Sequence, residues 1–297
     1  MMEFDVKGPD DPKKKELDER KKRFIEAQKR KQRLKEKMEK VKYKIAVMSG
    51  KGGVGKSTVA INLAVALSEE GYTVGLLDLD LHGPNVVRML GIKGGLSVDE
   101  GEIIPAQYSE TLKVISMAFL LEDGVPVIWR GALKTTAIEQ FLADVRWGEL
   151  DFIVFDLPPG TGDEALTLYQ SVPIDGAVIV TTPQIVALDD VRRAMRFVLE
   201  MKTAPLSASK NVKILGVVEN MSYLRCPNGD IVKPFGEGGA DKLAMEYEVP
   251  VLGRVPMDPK ALELMDQGMP PVSFYRGTEF ERAFREIASK VLERLKE

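Results

Sequence analysis

The sequence predicts an α/β fold with a mainly parallel β-sheet that is covered by helices on both faces. From residue 43 onward, short runs rich in β-branched residues alternate with segments of helical periodicity, which is typical of consecutive βαβ units. The predicted strands are almost continuously apolar, as strands buried on both faces should be. With 297 residues, 44% of them apolar, the chain can bury one large core.

Six strands are predicted in chain order: "KIAVMS", "TVGLLDLD", "LKVISMAFL", "DFIVFDL", "GAVIVTT" and "KILGVVEN". Helices are predicted to begin near Lys56, Asn85, Thr135, Asp163, Leu188 and Gly238. A last helix opens with a capping box from Thr278 to Glu281 and carries an apolar stripe at helical spacing (Phe280, Phe284, Ile287, Val291 and Leu295). We interpret the stripe as core packing rather than a membrane-surface face, since acidic and basic residues balance on its polar side.

Residues 1–41 form a charged N-terminal arm that precedes a predicted single domain at 42–297. Residues 1–42 hold 16 Lys and Arg against 10 Asp and Glu, and because the whole chain has a net charge of -3, the rest carries -9. With few apolar residues, the arm is predicted to be a solvated helix or partly disordered. A docking arm for an acidic partner is the alternative.

Composition narrows the class of protein. The sequence has no run of about 18 apolar residues, and its N-terminus is charged, so we expect a cytoplasmic protein. The single cysteine, Cys226, excludes an intrachain disulfide, and the single histidine, His82, excludes a multi-histidine metal site within one subunit.

A phosphate-binding loop lies between the first predicted strand and the first helix of the domain. Its residues are Gly50, Lys51, Gly52, Gly53, Val54, Gly55, Lys56 and Ser57, followed by Thr58. Glycines let backbone N–H groups face phosphates, and the helix N-terminus adds positive potential. Lys56 is expected to reach the β and γ phosphates and Ser57 to ligate Mg²⁺.

Acidic residues end two neighbouring strands, where ligands bind in parallel sheets. Asp78 and Asp80 are two apart, so strand alternation predicts one face for both, with Asp80 further into the loop. Asp156 ends another strand and is the expected magnesium acid. A helix N-cap is the alternative role for Asp78, and also for Asp163.

The segment "KGGVGKST" resembles the deviant phosphate loop of the dimeric ATPases that include the MinD, ParA, nitrogenase iron-protein and arsenite-pump groups. The resemblance implies a homodimer in which Lys51 crosses the interface to the partner's nucleotide, much as an arginine finger acts in trans. It also implies that Asp80 positions the attacking water and that Asp156, with "LPPGTGD", belongs to the second switch.

Three longer segments resemble the Mrp/ApbC-type iron–sulfur cluster carrier ATPases from about Lys42 onward: "LDLHGPNVVRMLG", "IWRGALKTTAIEQFLADVRWGELDFIVFDLPPGTGDEALTL" and "GVVENMSYLRCPNGDIVKPFGEGGADKLA". This resemblance implies that Asn220 reads adenine and that Pro256 and Asp258 belong to the loop that closes over the base. It implies ATP, Mg²⁺ and a subunit-bridging iron–sulfur cluster, with client or scaffold proteins as partners.

Other roles remain open. Asn220 could be a turn residue after its strand. His82 is either a switch contact or a polar loop residue, and Trp129 and Arg130 are expected near the dimer face.

Cys226 departs from the pattern of that family. Members carry Cys-Pro-x-Cys, whereas this chain has Cys226-Pro227-Asn228-Gly229, with glycine at the second thiolate position. A dimer therefore offers two thiolates where an iron–sulfur cluster usually has four. Cys226 could ligate beside small-molecule thiols, act as a transient transfer thiol, or have no metal role.

The sequence thus predicts a Mg-ATP-hydrolysing dimer that acts as an iron–sulfur cluster carrier. ATP rather than GTP is expected because no Asn-Lys-x-Asp segment follows the last strands. One alternative is a positioning ATPase that binds membrane or DNA, which the acidic body and the lack of a basic terminal amphipathic helix disfavour, so neither is expected as a partner. The other is a nucleotide-switched adaptor that has lost cluster binding.

Overall fold

The computed structural model describes residues 12–80, 83, 85–95, 97–120, 131–185 and 188–297. The strands are β1 (Val41–Ser49), β2 (Val74–Asp78), β3 (Ser97–Asp99), β4 (Glu102–Ile104), β5 (Ala106–Gln107), β6 (Leu112–Ser116), β7 (Leu150–Asp156), β8 (Gly176–Thr181), β9 (Lys213–Glu219), β10 (Leu224–Arg225), β11 (Ile231–Val232) and β12 (Val251–Arg254). The helices are α1 (Pro12–Glu39), α2 (Lys56–Glu69), α3 (Val86–Met89), α4 (Gly131–Asp144), α5 (Asp163–Ser171), α6 (Leu188–Met201), α7 (Gly239–Tyr247), α8 (Pro259–Asp266), α9 (Pro271–Phe274) and α10 (Glu279–Lys296).

Eight strands form the central sheet in the order β12-β9-β8-β1-β7-β2-β6-β5. Every neighbouring pair is parallel except β5 and β6, which are antiparallel. The predicted fold class is therefore confirmed. Because β1 lies between β7 and β8, the loop that follows it lies near the middle of the carboxyl edge of the sheet, where ligands bind in such folds.

Helices cover both faces of the sheet, and its central strands β1, β2, β7, β8 and β9 contribute to both cores. In β1, Ala46 and Met48 face the core under α1, α4, α5 and α6, whereas Ile45 and Val47 face the core under α2 and α10. This alternation is the physical reason for the continuous apolar runs, since no face of the strand meets water. Among the described helices, none has both the length and the apolar character needed to cross a membrane.

The structure differs from the predicted elements where segments are short. The third predicted strand ends at Ser116, and Met117–Leu120 form a 3₁₀ turn, because an apolar run alone does not specify where a strand leaves the ladder. The hairpins β3–β4 and β10–β11, the edge strand β12 and helices α8 and α9 were not predicted. The helix predicted near Thr135 begins at Gly131.

Within the arm, Pro12–Glu39 form α1, and the last turns of this helix pack on the body. Leu34 and Met38 are only 3% and 2% exposed and share a core cluster with Phe141 of α4. The Arg33 guanidinium lies 3.0 Å from a carboxylate oxygen of Asp144, and Lys37 lies 2.7 Å from Glu102. The carboxyl-terminal part of α1 is thus integrated in the core of the domain.

Candidate nucleotide site

The phosphate loop connects Ser49 at the end of β1 to Lys56 at the start of α2. Gly53 and Gly55 have φ values of 78° and 81°, in the left-handed region that favours glycine. A Cβ on Gly55 would also fall 2.1 Å from Nδ2 of Asn220. The loop therefore requires glycine at position 55 for both backbone conformation and space.

The beginning of the phosphate loop packs closely against the first turn of α6. A Cβ on Gly50 would fall 2.3 Å from the backbone carbonyl carbon of Asp190, near the start of α6. The half-buried Lys51 donates a hydrogen bond from Nζ to Oε1 of Gln184, at 3.4 Å. Gln184 follows β8, so Lys51 is held on the β8 side of the loop, whereas Lys56 turns towards β7.

Lys56 and Asp156 form a buried ion pair at the centre of the site. Lys56 is 6% exposed and Asp156 is fully buried, and Nζ of Lys56 donates to Oδ1 of Asp156. The other carboxylate oxygen, Oδ2, is buried without a hydrogen-bond partner. A buried oxygen of this kind calls for a ligand, and a hard oxygen donor near a hydroxyl, that of Ser57, fits Mg²⁺.

Asp78 lies beside Asp156, because β2 and β7 pair these two residues in register. Oδ2 of Asp78 accepts a hydrogen bond from Oγ of Ser116 at 2.9 Å. Burial, together with the negative charge of Asp156, raises the pKa of Asp78 to about 7. The site thus concentrates two carboxyl groups around one lysine, an arrangement that a divalent cation would neutralise.

Asp80 lies beyond the end of β2, in the loop. Its backbone N–H donates to Oδ1 of Asp78 at 3.0 Å, and its own Oδ1 accepts from the N–H of Gly83 at 3.1 Å. The backbone N–H of Val86, at the start of α3, lies 3.4 Å from Oδ2 of Asp78, but the N-cap of α3 is Asn85, so Asp78 is a strand residue and not a helix N-cap. At α5 the N-cap is Gly162 and Asp163 is the first helical residue, so Asp163 is not the side-chain cap.

An apolar cavity of about 290 Å³ lies next to the phosphate loop. Its lining includes Thr58, Asn220, Met221, Leu224, Pro256, Met257, Asp258, Leu262, Met265 and Phe280. A largely apolar cavity with one side-chain amide in its lining suits a purine ring, which packs on apolar atoms and carries hydrogen-bonding groups at its edge. Thr58, Asn220, Pro256 and Asp258, four of the predicted site residues, all contribute to this lining.

Two polar residues of the cavity already have partners within the chain. Nδ2 of Asn220 donates to the carbonyl oxygen of Val54 at 2.9 Å, which ties β9 to the phosphate loop. Asp258 caps α8 by accepting from the N–H groups of Lys260 and Ala261 at 2.8 and 3.2 Å. Burial and the Asp258 carboxylate raise the pKa of Tyr275.

Cys226 lies at the turn of the β10–β11 hairpin and is half-buried. Its N–H donates to the carbonyl oxygen of Asp230 at 2.8 Å, and its own carbonyl accepts from Gly229 at 2.9 Å. The described residues contain no group of three or more His, Cys, Asp or Glu side chains that could hold a metal ion. A metal or cluster at Cys226 would therefore need ligands from beyond the described residues.

The predicted site residues fall into three places. The loop residues, Asp78, Asp80 and Asp156 meet at the carboxyl edge of the sheet, and the base-side residues line the cavity. Cys226 lies apart, on the hairpin. Predicted residues His82, Trp129 and Arg130 lie outside the described part of the chain.

The sequence reasoning missed Gln184 and Ser116, which hold Lys51 and Asp78. The sequence could have indicated both residues, because each is a polar residue at or after the end of a predicted strand, at the same edge of the sheet. The methionines Met221 and Met257 carried no comparable signal, because apolar residues after a strand are equally typical of core packing.

A mainly parallel sheet with a phosphate loop after its central strand and acids after the neighbouring strands is the arrangement of a P-loop NTPase. The family model "ParA: NUBPL iron-transfer P-loop NTPase" matches residues 40–292. The chain belongs to this family.

Similar proteins agree with the family assignment. The chain is 50% identical over 268 residues to an iron-sulfur cluster carrier protein of Pyrococcus abyssi, which covers 86% of this chain and 88% of that protein. It is 48% identical over 256 residues to the protein of the same name in Saccharolobus solfataricus, with coverage of 85% and 83%.

Two solved structures place the fold. A nucleotide-binding protein from Archaeoglobus fulgidus, in complex with ADP, is 40% identical with a TM-score of 0.69, over 80% of this chain and 91% of that one. The cell division ATPase MinD of Pyrococcus furiosus is 25% identical with a TM-score of 0.60, over 85% and 99%. The resemblance to carrier and MinD-type proteins predicted from the sequence is confirmed.

Proposed function

We propose that this chain is a Mg-ATP-hydrolysing homodimer that carries iron–sulfur clusters to acceptor proteins. The observation that carries the nucleotide part is the buried Lys56–Asp156 pair with its unpartnered Oδ2, next to a purine-sized cavity. Family membership and the similarity to the iron-sulfur cluster carrier proteins of P. abyssi and S. solfataricus support the cargo.

The cavity favours adenine over guanine. Nδ2 of Asn220 donates one of its two N–H groups to Val54, and this bond fixes the amide so that Oδ1 can accept from a base and the second N–H can donate to it. Adenine offers an exocyclic amino donor, whereas guanine offers a carbonyl acceptor at the corresponding position. An acceptor facing an acceptor loses a hydrogen bond in a buried site, so GTP should bind more weakly.

Each polar group of the phosphate site has a distinct task. Backbone N–H groups of the loop and Lys56 hold the phosphates, and Ser57 and Asp156 would hold Mg²⁺. When bound, the ion neutralises charge on the phosphate oxygens. Asp80 orients a water molecule, whose oxygen bonds to the γ phosphorus as the bond to the β–γ bridging oxygen breaks, yielding ADP and phosphate.

Lys51 supplies the charge that the chain's own site lacks. It is held by Gln184 on the β8 side and does not contact the Lys56–Asp156 pair. This position suits a lysine that reaches the nucleotide of a facing subunit and stabilises negative charge in the transition state. Hydrolysis then depends on dimerisation.

A second candidate function is a nucleotide-switched adaptor without cluster cargo. It is favoured by Cys226, since one thiolate per chain gives a dimer two where a cluster usually has four. The adaptor would keep the ATP cycle but not the cargo.

Anaerobic reconstitution of the full chain and of Cys226→Ser with iron and sulfide separates the two candidates. For a carrier we expect iron, sulfide and visible absorption in the wild-type dimer, their loss in Cys226→Ser, and transfer to an apo-ferredoxin. Unchanged Mg-ATP hydrolysis with no cluster in either form would leave the adaptor. Absence of Mg-ATP hydrolysis by the wild-type dimer would contradict both.

A further inference from the structure

The amino-terminal part of α1 projects from the body as an exposed basic helix. Residues 12–31 contain ten Lys and Arg against four Asp and Glu. The apolar side chains Leu17, Phe24 and Ile25 are 52%, 65% and 52% exposed, whereas Leu34 and Met38, further along the same helix, are buried. At 1.5 Å per residue, residues 12–26 extend for about 22 Å.

A surface cavity of about 250 Å³ lies where the projecting part meets the body. Arg30 and Lys31 line one side of it, and Gln170 and Ser171 of α5 line the other. Leu206, which is 78% exposed, adds an apolar surface to the lining. Leu34 and Glu139 also line the cavity, which therefore presents two cations, one carboxylate, neutral polar groups and leucine side chains together.

The docked part of α1 shows which chemistry this helix recognises. There, Arg33 and Lys37 pair with Asp144 and Glu102, while Leu34 and Met38 enter the core beside them. The exposed part of α1 and the adjoining cavity have the same combination of cations and apolar side chains. There, however, Leu17 and Phe24 are exposed and are not covered by the body of the domain. The matching occupant is a surface that carries carboxylates around apolar residues.

The cavity lies at the edge of the sheet opposite the phosphate loop. Helix α5 starts beside the loop, where the N–H of Gly160 donates to the carbonyl of Ser49 at 2.9 Å, and it runs away from it to Ser171. A partner bound at Ser171 and Lys31 would leave the nucleotide edge open. Binding there should not compete with ATP or with a subunit facing that edge.

We propose that residues 16–31 of α1, together with the Arg30–Leu206 cavity, form a docking surface for an acidic, amphipathic segment of another protein. Carboxylates of that segment pair with Arg30 and Lys31, and its apolar side chains cover Phe24 and Leu206. This contact tethers a partner independently of the nucleotide state.

The test measures binding of a fluorescent synthetic peptide to the full chain. The peptide is an acidic amphipathic helix of Glu and Leu, and a second peptide of equal charge has Ser in place of Leu. We expect the Glu/Leu peptide to bind, with binding weakened by salt and unaffected by ATP or ADP. Phe24→Glu and Lys31→Glu should each weaken it by about tenfold or more.

Matched variants on α7 control for added negative charge. Met245 is 83% exposed and Lys242 is also exposed, so Met245→Glu and Lys242→Glu make the same changes away from the arm and should bind the peptide as the wild type does. Equal binding of the Ser peptide, or equal loss in the α7 variants, would reduce the effect to general charge attraction and overturn the proposal. If single-stranded RNA or anionic vesicles bound more tightly than the Glu/Leu peptide, and this binding were lost in Phe24→Glu and Lys31→Glu, the choice of a protein partner would be wrong. Absence of peptide binding would overturn the proposal as well.

Discussion

Asp78 and Asp156 end adjacent parallel strands in register, and both carboxyl groups are fully buried beside Lys56. One lysine cannot neutralise two buried carboxylates, so burial and the charge of Asp156 raise the pKa of Asp78 to about 7. The two buried carboxyl groups therefore carry an electrostatic cost, which a bound cation would relieve.

This cost predicts a pH-dependent stability without nucleotide. The pKa of Asp78 is about 7 in the folded chain against 3.8 ordinarily, so its contribution is fully present below pH 3.8 and is lost as the pH rises through 7. We expect Asp78→Asn to gain stability relative to the wild type between pH 5 and 8, by about 1–3 kcal/mol at the upper end. Urea unfolding of both proteins across this range measures the difference.

Asp266→Asn is the control for that series, because Asp266 is an exposed residue at the end of α8. The same gain in this variant, or a stability difference of Asp78→Asn that does not change with pH, would contradict the buried-pair explanation.

Mixing two inactive variants tests whether Lys51 acts across the dimer. Lys51→Ala and Lys56→Ala should each lower ATP hydrolysis by roughly 10²–10³-fold, as loss of a transition-state cation does. In a mixed dimer, the Lys56→Ala subunit supplies Lys51 to the intact phosphate loop of its partner. We expect mixing to restore hydrolysis well above either variant alone, measured by phosphate release.

If Lys51 acted within its own subunit, no site in the mixed dimer would hold both lysines, and mixing would restore nothing. Gln184→Ala serves as the companion variant. It removes the 3.4 Å contact of Lys51 but leaves the charge, so we expect a smaller decrease than in Lys51→Ala.

Asn220→Ala should reduce the preference for ATP over GTP. The variant loses the acceptor that reads an amino group and the bond to Val54, so we expect ATP binding to weaken by about tenfold and GTP binding to change less. Titration with both nucleotides measures the ratio. Met257→Leu conserves volume in the same cavity and should keep the wild-type preference; an unchanged ratio in Asn220→Ala would refute the base-reading role.

Substitutions along α1 test where the arm joins the domain. Leu34→Ala removes a buried side chain and should lower the free energy of unfolding by about 2–4 kcal/mol, whereas Phe24→Ala removes one that is 65% exposed and should change it little. Denaturant unfolding compares the two. Equal effects would mean that the helix is docked, or free, along its whole length.

The sequence was sufficient to predict the fold class, the phosphate loop and the acids of the carboxyl edge. Each depends on a local pattern. Buried parallel strands are continuously apolar, and a glycine-rich loop such as Gly50–Ser57 between a strand and a helix is specific for phosphate binding. Residue-by-residue resemblance added Asn220 and Pro256, whose own patterns are those of ordinary turns.

Only the tertiary structure decided how these groups meet. The register of β2 against β7 places Asp78 beside Asp156, and the same packing leaves Oδ2 of Asp156 without a partner. The cavity beside the phosphate loop combines α2, the segment after β9, β10, α8 and α10, so its lining extends from Thr58 to Phe280 in the chain. Contacts of this kind depend on which strands are neighbours in the sheet. The hydrophobic periodicity of a single strand does not specify its neighbours.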